Sequence, residues 1–297
     1  MRIAHVTDIH VMVPPKLSQL FGKRLLGAVN LFLMGRESHF SEAVQVALAD
    51  ALREANLDAI ICTGDISAMA TPEEFNKFEE LFGEVFDSHK TSLVTGNHDT
   101  YAYLADRNKT MERQFGKYMG SGKYPRVHDL NEKISVVTID SSRFHILSSG
   151  KVARDELERL DQLLAGMGTR GIFISLHYPL RGRDGSPYGP STRNLSNARA
   201  LEAVLTKHAN RIVAILHGHE HHGFRTALGG GVRDIPIINP GASGYAWLPD
   251  HNRTAHFNIY TVDESDNPLE ISVERFRYCG DDKSFITEVG GAYSTGR

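Results

Sequence analysis

Residues 212–221 read Ile-Val-Ala-Ile-Leu-His-Gly-His-Glu-His, an apolar run that ends on a block dense in metal-binding side chains. A short continuous apolar run closed by glycine reads as a buried strand. The same figure occurs four more times. Ile3–Thr7 leads into Asp8-Ile9-His10, and Ala59–Thr63 into Gly64-Asp65. Ser92–Thr95 leads into Gly96-Asn97-His98-Asp99, and Ile172–Leu176 into His177. In open α/β sheets, ligand sites form outside the carboxyl ends of the strands. The polar blocks all fall at that edge. The expected class is therefore α/β, with a metal site at the strand carboxyl ends.

Taken singly, these residues say little. An aspartate after a strand is usually a cap or turn former, and an asparagine after glycine is usually a turn residue. A lone histidine is usually hydrogen-bonded surface or core. The readings change when the blocks are taken together, because backbone geometry alone does not call for such a set at one edge. Asp8, His10, Asp65, Asn97, His177, His219 and His221 offer seven ligands. Carboxylate, imidazole and amide oxygen suit Mn, Fe or Zn rather than Cu(I) or an iron–sulfur cluster. Two divalent or mixed-valence transition-metal ions are expected. Asp65 is the natural bridge, since one carboxylate can span two cations about 3.5–4 Å apart. Water shared by such a pair is acidified to a hydroxide nucleophile, and the ions clamp a phosphate in line for displacement. The expected reaction is hydrolysis of a phosphodiester or pyrophosphate bond.

The ordered set D-x-H, G-D, G-N-H-D, H, G-H-x-H resembles that of the calcineurin-like metallophosphoesterases. It spans residues 8–221. The resemblance implies an αββα sandwich of two mixed sheets flanked by helices. It implies one metal on Asp8, His10, Asp65 and His221, and a second on Asp65, Asn97, His177 and His219. It gives catalytic roles to Asp65, as the bridge, and to His98, as an acid or transition-state donor rather than a ligand. One feature departs from the protein serine/threonine phosphatases: the segment after Asp65 is Ile66-Ser67-Ala68, without their arginine. That speaks against a phosphoprotein substrate. His39, His217 and His222 read as surface or supporting residues.

The bulk composition is that expected of a soluble globular protein. The 297 residues are 41% hydrophobic and 23% charged, with a net charge of -3. No nucleic-acid-binding patch is evident from that balance. Two cysteines, Cys62 and Cys279, give no disulfide framework and fit a reducing, cytoplasmic location. Cys62 reads as a small buried hydrophobe. The first strand begins at Arg2 and runs into a proposed ligand, so no cleaved leader is expected. No apolar run is long enough to span a bilayer.

Strands alternate with helical patterns, the signature of βαβ units. A first crossover helix is expected near Ser41. Thr71-Pro72-Glu73-Glu74 reads as a capping box opening a helix that buries Phe75, Phe78, Leu81 and Phe82. Further helices are expected over Asp155–Leu164 and Ser196–His208, with a strand at Ile134–Ile139. Beyond residue 222 the pattern is strand only: Phe224–Leu228, Ile235–Ile238, Phe257–Val262 and Ile271–Phe276. These runs are expected to complete a second sheet. The stretch Gly290–Arg297 reads as a fraying end. The whole chain, 1–297, reads as a single domain with an apolar helical insertion at about 14–40.

Two loops bear on the substrate. Leu17–Met34 is strongly apolar, with Phe21, Leu25 and Phe32 among lysines and arginines. It reads as a helical hairpin packed on the body. The alternative is an amphipathic element for lipid contact at the inner membrane face. In composition it resembles the insertion of bacterial hydrolases of acylated sugar nucleotides, so a membrane-associated hydrolase of such a substrate is the alternative function. The loop after His177 carries Arg181, Arg183 and Arg193, candidates for bidentate contact with a second phosphate. Tyr178 is a candidate pocket wall. A catalytically silent metal-binding scaffold is the reading from another class, and it predicts missing ligands.

Overall fold

The computed structural model describes residues 1–16, 36–100, 109–142, 149–265 and 269–288. Two six-stranded sheets stack face to face. The first joins β1 (Arg2–Val6), β2 (Ala59–Cys62), β3 (Lys90–Leu93), β10 (His256–Asp263), β11 (Glu270–Cys279) and β12 (Ser284–Thr287), in the order β12-β11-β10-β1-β2-β3. The second joins β4 (Arg126–Asp129), β5 (Ile134–Thr138), β6 (Gly171–Ser175), β7 (Ile212–Leu216), β8 (Phe224–Leu228) and β9 (Ile235–Asn239), in the order β4-β5-β6-β7-β9-β8. Strands β1–β3 run parallel, as do β5–β7 with β9, while the outer strands are antiparallel. The result is the mixed αββα architecture.

Alternation along β1 divides the core into layers. Ala4 and Val6 face one way, onto α1 (Glu42–Glu54), α2 (Pro72–Asp87) and α3 (Thr110–Met119). Ile3 faces the other way, into an inter-sheet layer with Ile61, Val136, Phe173 and Tyr260. The far face of the second sheet packs on α4 (Arg154–Gly166) and α5 (Ala198–Lys207) through Leu160, Leu164, Leu201 and Leu205. In α2 the capping box forms as its sequence predicts. Thr71 Oγ1 accepts from the Glu74 amide at 3.2 Å, and Glu74 Oε2 accepts from the Thr71 amide at 3.0 Å. Phe75, Phe78 and Phe82 are buried, and Leu81 packs partly buried beside them. Ser41 is the N-cap of α1.

One expectation needs correction. The four late strands do not all complete the second sheet. Strands β8 and β9 do, but β10 and β11 return to the first sheet, where β10 pairs antiparallel with β1. A hydrophobic period identifies a strand but carries no partner. Helix α3 and the short outer strands β4 and β12 were also outside the sequence reading. The expected insertion Leu17–Met34 and the tail Gly290–Arg297 lie outside the described residues. Among the described residues, no helix is long and apolar enough to cross a membrane.

His5 sits fully buried in the inter-sheet layer, with Nδ1 2.9 Å from Tyr260 Oη and Nε2 3.0 Å from Thr63 Oγ1. Burial, reinforced by His217, pushes it down to about 3 from its ordinary value of 6.5. The folded chain therefore holds this ring neutral where the unfolded chain would protonate it. Its contribution to stability is complete above pH 6.5 and is lost as pH falls toward 3. The slope for one such group is about 1.4 kcal/mol per pH unit. In chelator, urea unfolding of the wild type should weaken from pH 6.5 to 5. His5→Gln should flatten that dependence by about one proton's worth, and parallel slopes for the two proteins would refute the assignment.

Candidate metal centre

Asp8, His10, Asp65, His219 and His221 all take left-handed backbone, with φ of 49°, 49°, 53°, 70° and 34°. That region costs a non-glycine residue about 1–2 kcal/mol and persists only where the surroundings enforce it. The enforcement is visible. The Asp8 amide donates to the Gly64 carbonyl at 3.0 Å and the His10 amide to the Asp65 carbonyl at 3.0 Å. Asp99, buried, accepts from the amides of Asp65 at 2.8 Å, Gly96 at 2.9 Å and Ser67 at 3.0 Å. It also accepts from the Ser67 hydroxyl at 3.0 Å. Gly64, at φ +95°, and Gly96 pack backbone to backbone, so a Cβ on either would strike the other turn.

These turns bring the seven candidate ligands together in two groups. In the first, Asp8 Oδ1 lies 3.7 Å from His10 Nε2 and 3.3 Å from His221 Nε2, and the two imidazole nitrogens are 3.3 Å apart. In the second, Asn97 Oδ1 lies 2.7 Å from His219 Nδ1 and 3.1 Å from His177 Nε2. Asp65 stands between them: its Oδ2 is 3.7 Å from His10 Nε2 and 3.4 Å from His177 Nε2. Its Oδ1 is taken by the His98 amide at 2.7 Å.

The donor chemistry fits cations in both groups. His177 Nδ1 is 2.8 Å from the Thr63 carbonyl, which can only accept, so Nδ1 carries the proton. The neutral ring then presents a bare lone pair at Nε2, facing oxygens of Asp65 and Asn97 that are themselves acceptors. Such a convergence of lone pairs needs positive charge at its centre. Asp8 shows the same deficit. Its Oδ2 accepts from Thr7 Oγ1 and the His219 amide, both at 3.0 Å, while its fully buried Oδ1 has no hydrogen-bond donor.

The electrostatics agree. Burial would raise the Asp65 carboxyl, but His177, His98 and His10 hold it well below the usual carboxylate range. Burial would raise Asp8 as well, but His221 and His10 hold it low. Burial would lower His177, but Asp65 outweighs it and lifts the imidazole to about 9. Protons thus supply the positive charge when cations do not.

The remaining predicted residues are placed unevenly. His98 lies close enough to join His10 and Asp65 in a trio of ligand atoms within 4.8 Å of one another. Its Nδ1 is 2.7 Å from the Ala68 carbonyl, so in the neutral ring Nδ1 carries the proton. Arg193 is exposed and acts electrostatically on His219, Tyr178 and Tyr188. Arg181 is tied to Glu202 at 2.7 Å, and Arg183 faces His222. Tyr178 is buried, its ring 4.5 Å from that of His219, so it supports that imidazole from behind rather than lining an open pocket. His217 is buried with Nδ1 2.9 Å from the Gly218 carbonyl.

Four neighbours escaped the sequence reading. Asp99 was visible beside His98 but carried no assigned role. Tyr245 Oη is 2.8 Å from His221 Nδ1, and the Phe40 ring is 4.4 Å from that of His10. Tyr188 Oη donates to Glu220 Oε1 at 2.6 Å, between two of the ligands. Nothing local in the sequence marks Phe40, Tyr188 or Tyr245, because long-range folding brings each to the edge.

A family model for the calcineurin-like phosphoesterases matches residues 1–223, and the chain belongs to that family. It is 25% identical over 192 residues to a probable cyclic nucleotide phosphodiesterase of Vesicomyosocius okutanii subsp. Calyptogena okutanii (strain HA), covering 65% of this chain and 73% of that one. Its fold is similar to a dimetal phosphatase from Danio rerio, with a TM-score of 0.54, 14% identity and 99% of both chains covered. It is also similar to a purple acid phosphatase from yellow lupin (Lupinus luteus) seeds, with a TM-score of 0.56 and 11% identity over 96% of this chain and 52% of that one. The family implies divalent metal ions and a phosphoester substrate.

Metal ligands must be deprotonated, so binding displaces protons. With His177 at about 9 in the metal-free chain, cation uptake at pH 7 should release its proton. Apparent Mn²⁺ affinity should then rise about tenfold per pH unit for each displaced proton, up to about pH 9. Calorimetric titration in buffers of different ionisation heat measures that proton directly. Heats that do not depend on the buffer at pH 7 would contradict it.

Proposed function

We propose that the chain is a binuclear metal-dependent phosphodiesterase. Asp8, His10, Asp65 and His221 hold one cation, and Asp65, Asn97, His177 and His219 hold the other. The observation behind this reading is the position of Asp65 Oδ2, within 3.7 Å of an imidazole nitrogen from each group. Oxygen and imidazole donors suit Mn, Fe or Zn. When bound, two such ions supply charge for the phosphate oxygens and acidify water for attack.

The protein's own residues do the rest. His98 faces the substrate with Nε2, its ring fixed through the Ala68 carbonyl. Burial holds this imidazole down to about 4, so it is neutral at pH 7 until an anionic substrate arrives beside it. An approaching phosphate diester favours the protonated ring, and that ring can pass its Nε2 proton to the departing alkoxide. Arg193, exposed beside His219, is the arginine of its loop best placed to meet a second anionic or polar part of the substrate. The curated relative's name also favours a diester. The silent-scaffold reading predicts a missing ligand, and all seven positions carry a competent side chain. The lipid-substrate alternative rests on 17–34, which lies outside the described residues.

Two measurements test the proposal. The wild type should bind two Mn²⁺ per chain and hydrolyse bis(p-nitrophenyl) phosphate. Asp65→Asn should weaken both sites at least about tenfold, because a neutral amide replaces the shared charge. A single ion at saturating Mn²⁺ in the wild type would sink the binuclear reading.

His98→Ala should retain both ions and lose turnover. The loss should be about 10²–10⁴-fold for alkyl diesters, whose leaving oxygen needs a proton, and smaller for p-nitrophenyl esters. Equal losses across leaving groups would rule out the acid role and leave charge stabilisation.

A further inference from the structure

His221 differs from the other histidines of the site in how it is held. Its side chain is 28% exposed, whereas those of His10 and His177 are at most 2% exposed. His177 is locked by the Thr63 carbonyl, and the His219 ring packs on those of Tyr178 at 4.5 Å and His177 at 5.3 Å. The His221 ring has those of His10 at 5.1 Å and Phe40 at 5.9 Å beside it, and it keeps its partial exposure. On its buried side it meets Tyr245, whose hydroxyl is 2.8 Å from Nδ1 and whose ring stands edge-on at 5.3 Å.

Tyr245 is itself firmly placed. It is 7% exposed and packs against Phe40 at 5.2 Å, with the Arg253 guanidinium over its ring at 5.4 Å. The neighbouring backbone is stitched to the ligand turns. The Ser243 amide donates to the Thr7 carbonyl at 2.8 Å, and the Gly244 amide to the Asp8 carbonyl at 3.4 Å. On the other side the Ala246 amide donates to the His39 carbonyl at 2.9 Å. The hydroxyl is therefore fixed relative to Asp8, the carboxylate that His221 must meet.

We propose that Tyr245 is the positioning residue of the Asp8–His10–His221 cation site, accepting the Nδ1 proton of His221 so that Nε2 is left bare toward the cation. The inference rests on the binuclear reading above. An imidazole whose Nδ1 proton has a fixed acceptor keeps one tautomer and one ring plane. Without it, a part-exposed ring can rotate about χ2 or move its proton to Nε2, and either change withdraws the ligand. The effect should be confined to one cation, because His177, Asn97 and His219 have their own supports.

The test is Mn²⁺ titration of the full chain carrying Tyr245→Phe, which keeps the ring and its packing on Phe40. One of the two Mn²⁺ sites should weaken about 10- to 100-fold while the other is unchanged. Superimposable isotherms for the variant and the wild type, or equal weakening of both sites, would overturn the proposal. Histidine ring ¹⁵N spectra of the unsubstituted chain with Zn²⁺ bound provide a check that needs no variant. His221 should carry its proton on Nδ1, and a proton on Nε2 would overturn the proposal as well. A wild type that binds fewer than two Mn²⁺ instead counts against the binuclear reading, so the two failures are distinguishable.

Discussion

One buried carboxylate, that of Asp99, receives four donors, and the metal edge depends on it. Three of them are backbone amides, from Asp65, Ser67 and Gly96. They belong to turns that leave two different strands, β2 and β3. Without a common acceptor these amides would sit buried and unpaired, at a cost of about 1–3 kcal/mol each. With it, the turn carrying Asp65 and the turn carrying Asn97 become one rigid piece. Gly64 and Gly96 then meet without side chains between them. Asp99 touches no candidate ligand atom in the way a ligand would, yet it sets where the bridging carboxylate points.

The second sheet reaches the same point by a different route. β6 and β7 are parallel neighbours, so His177 and His219 leave the sheet side by side. The His219 amide donates to Asp8 Oδ2, and the His177 ring donates to the Thr63 carbonyl. Each of these bonds crosses from one sheet to the other. Gly218 allows the crossing, because a Cβ there would collide with Thr7 and Asp8. The left-handed backbone at five ligand positions is the strain that results, and it is offset by the sandwich burying both sheets against each other.

Much of this was legible before any coordinates, and the reasons are physical. The five polar blocks stand out because buried parallel strands are near-continuous apolar runs, so each strand end is sharply marked. The capping box of α2 is equally local, and Thr71 and Glu74 form it as read. What was not legible is long-range. The return of β10 and β11 to the first sheet depends on pairing partners that hydrophobic alternation does not encode. The burial of Tyr178 behind His219 could not be told from a position at the pocket mouth, since both follow a ligand in sequence. Tyr245, Phe40 and Tyr188 are separated by many residues from the ligands they touch, and no spacing rule links them.

The division between legible and illegible parts follows the division of labour in the site. Cation chemistry needs charged and imidazole groups on backbone that cannot move, so those residues sit in short turns between buried strands, where sequence spacing is informative. Substrate choice needs surfaces that can differ without disturbing the cations. The side chains bordering the ligand block here are the Phe40–Tyr245 pair beside the Asp8 group and the loop bearing Tyr188 and Arg193 beside the Asn97 group. Each is anchored to the ligand block by side-chain contacts: Phe40 and Tyr245 to His10 and His221, and Tyr188 to Glu220. A rim attached that way can change its outer residues while the inner contact keeps the imidazoles in register.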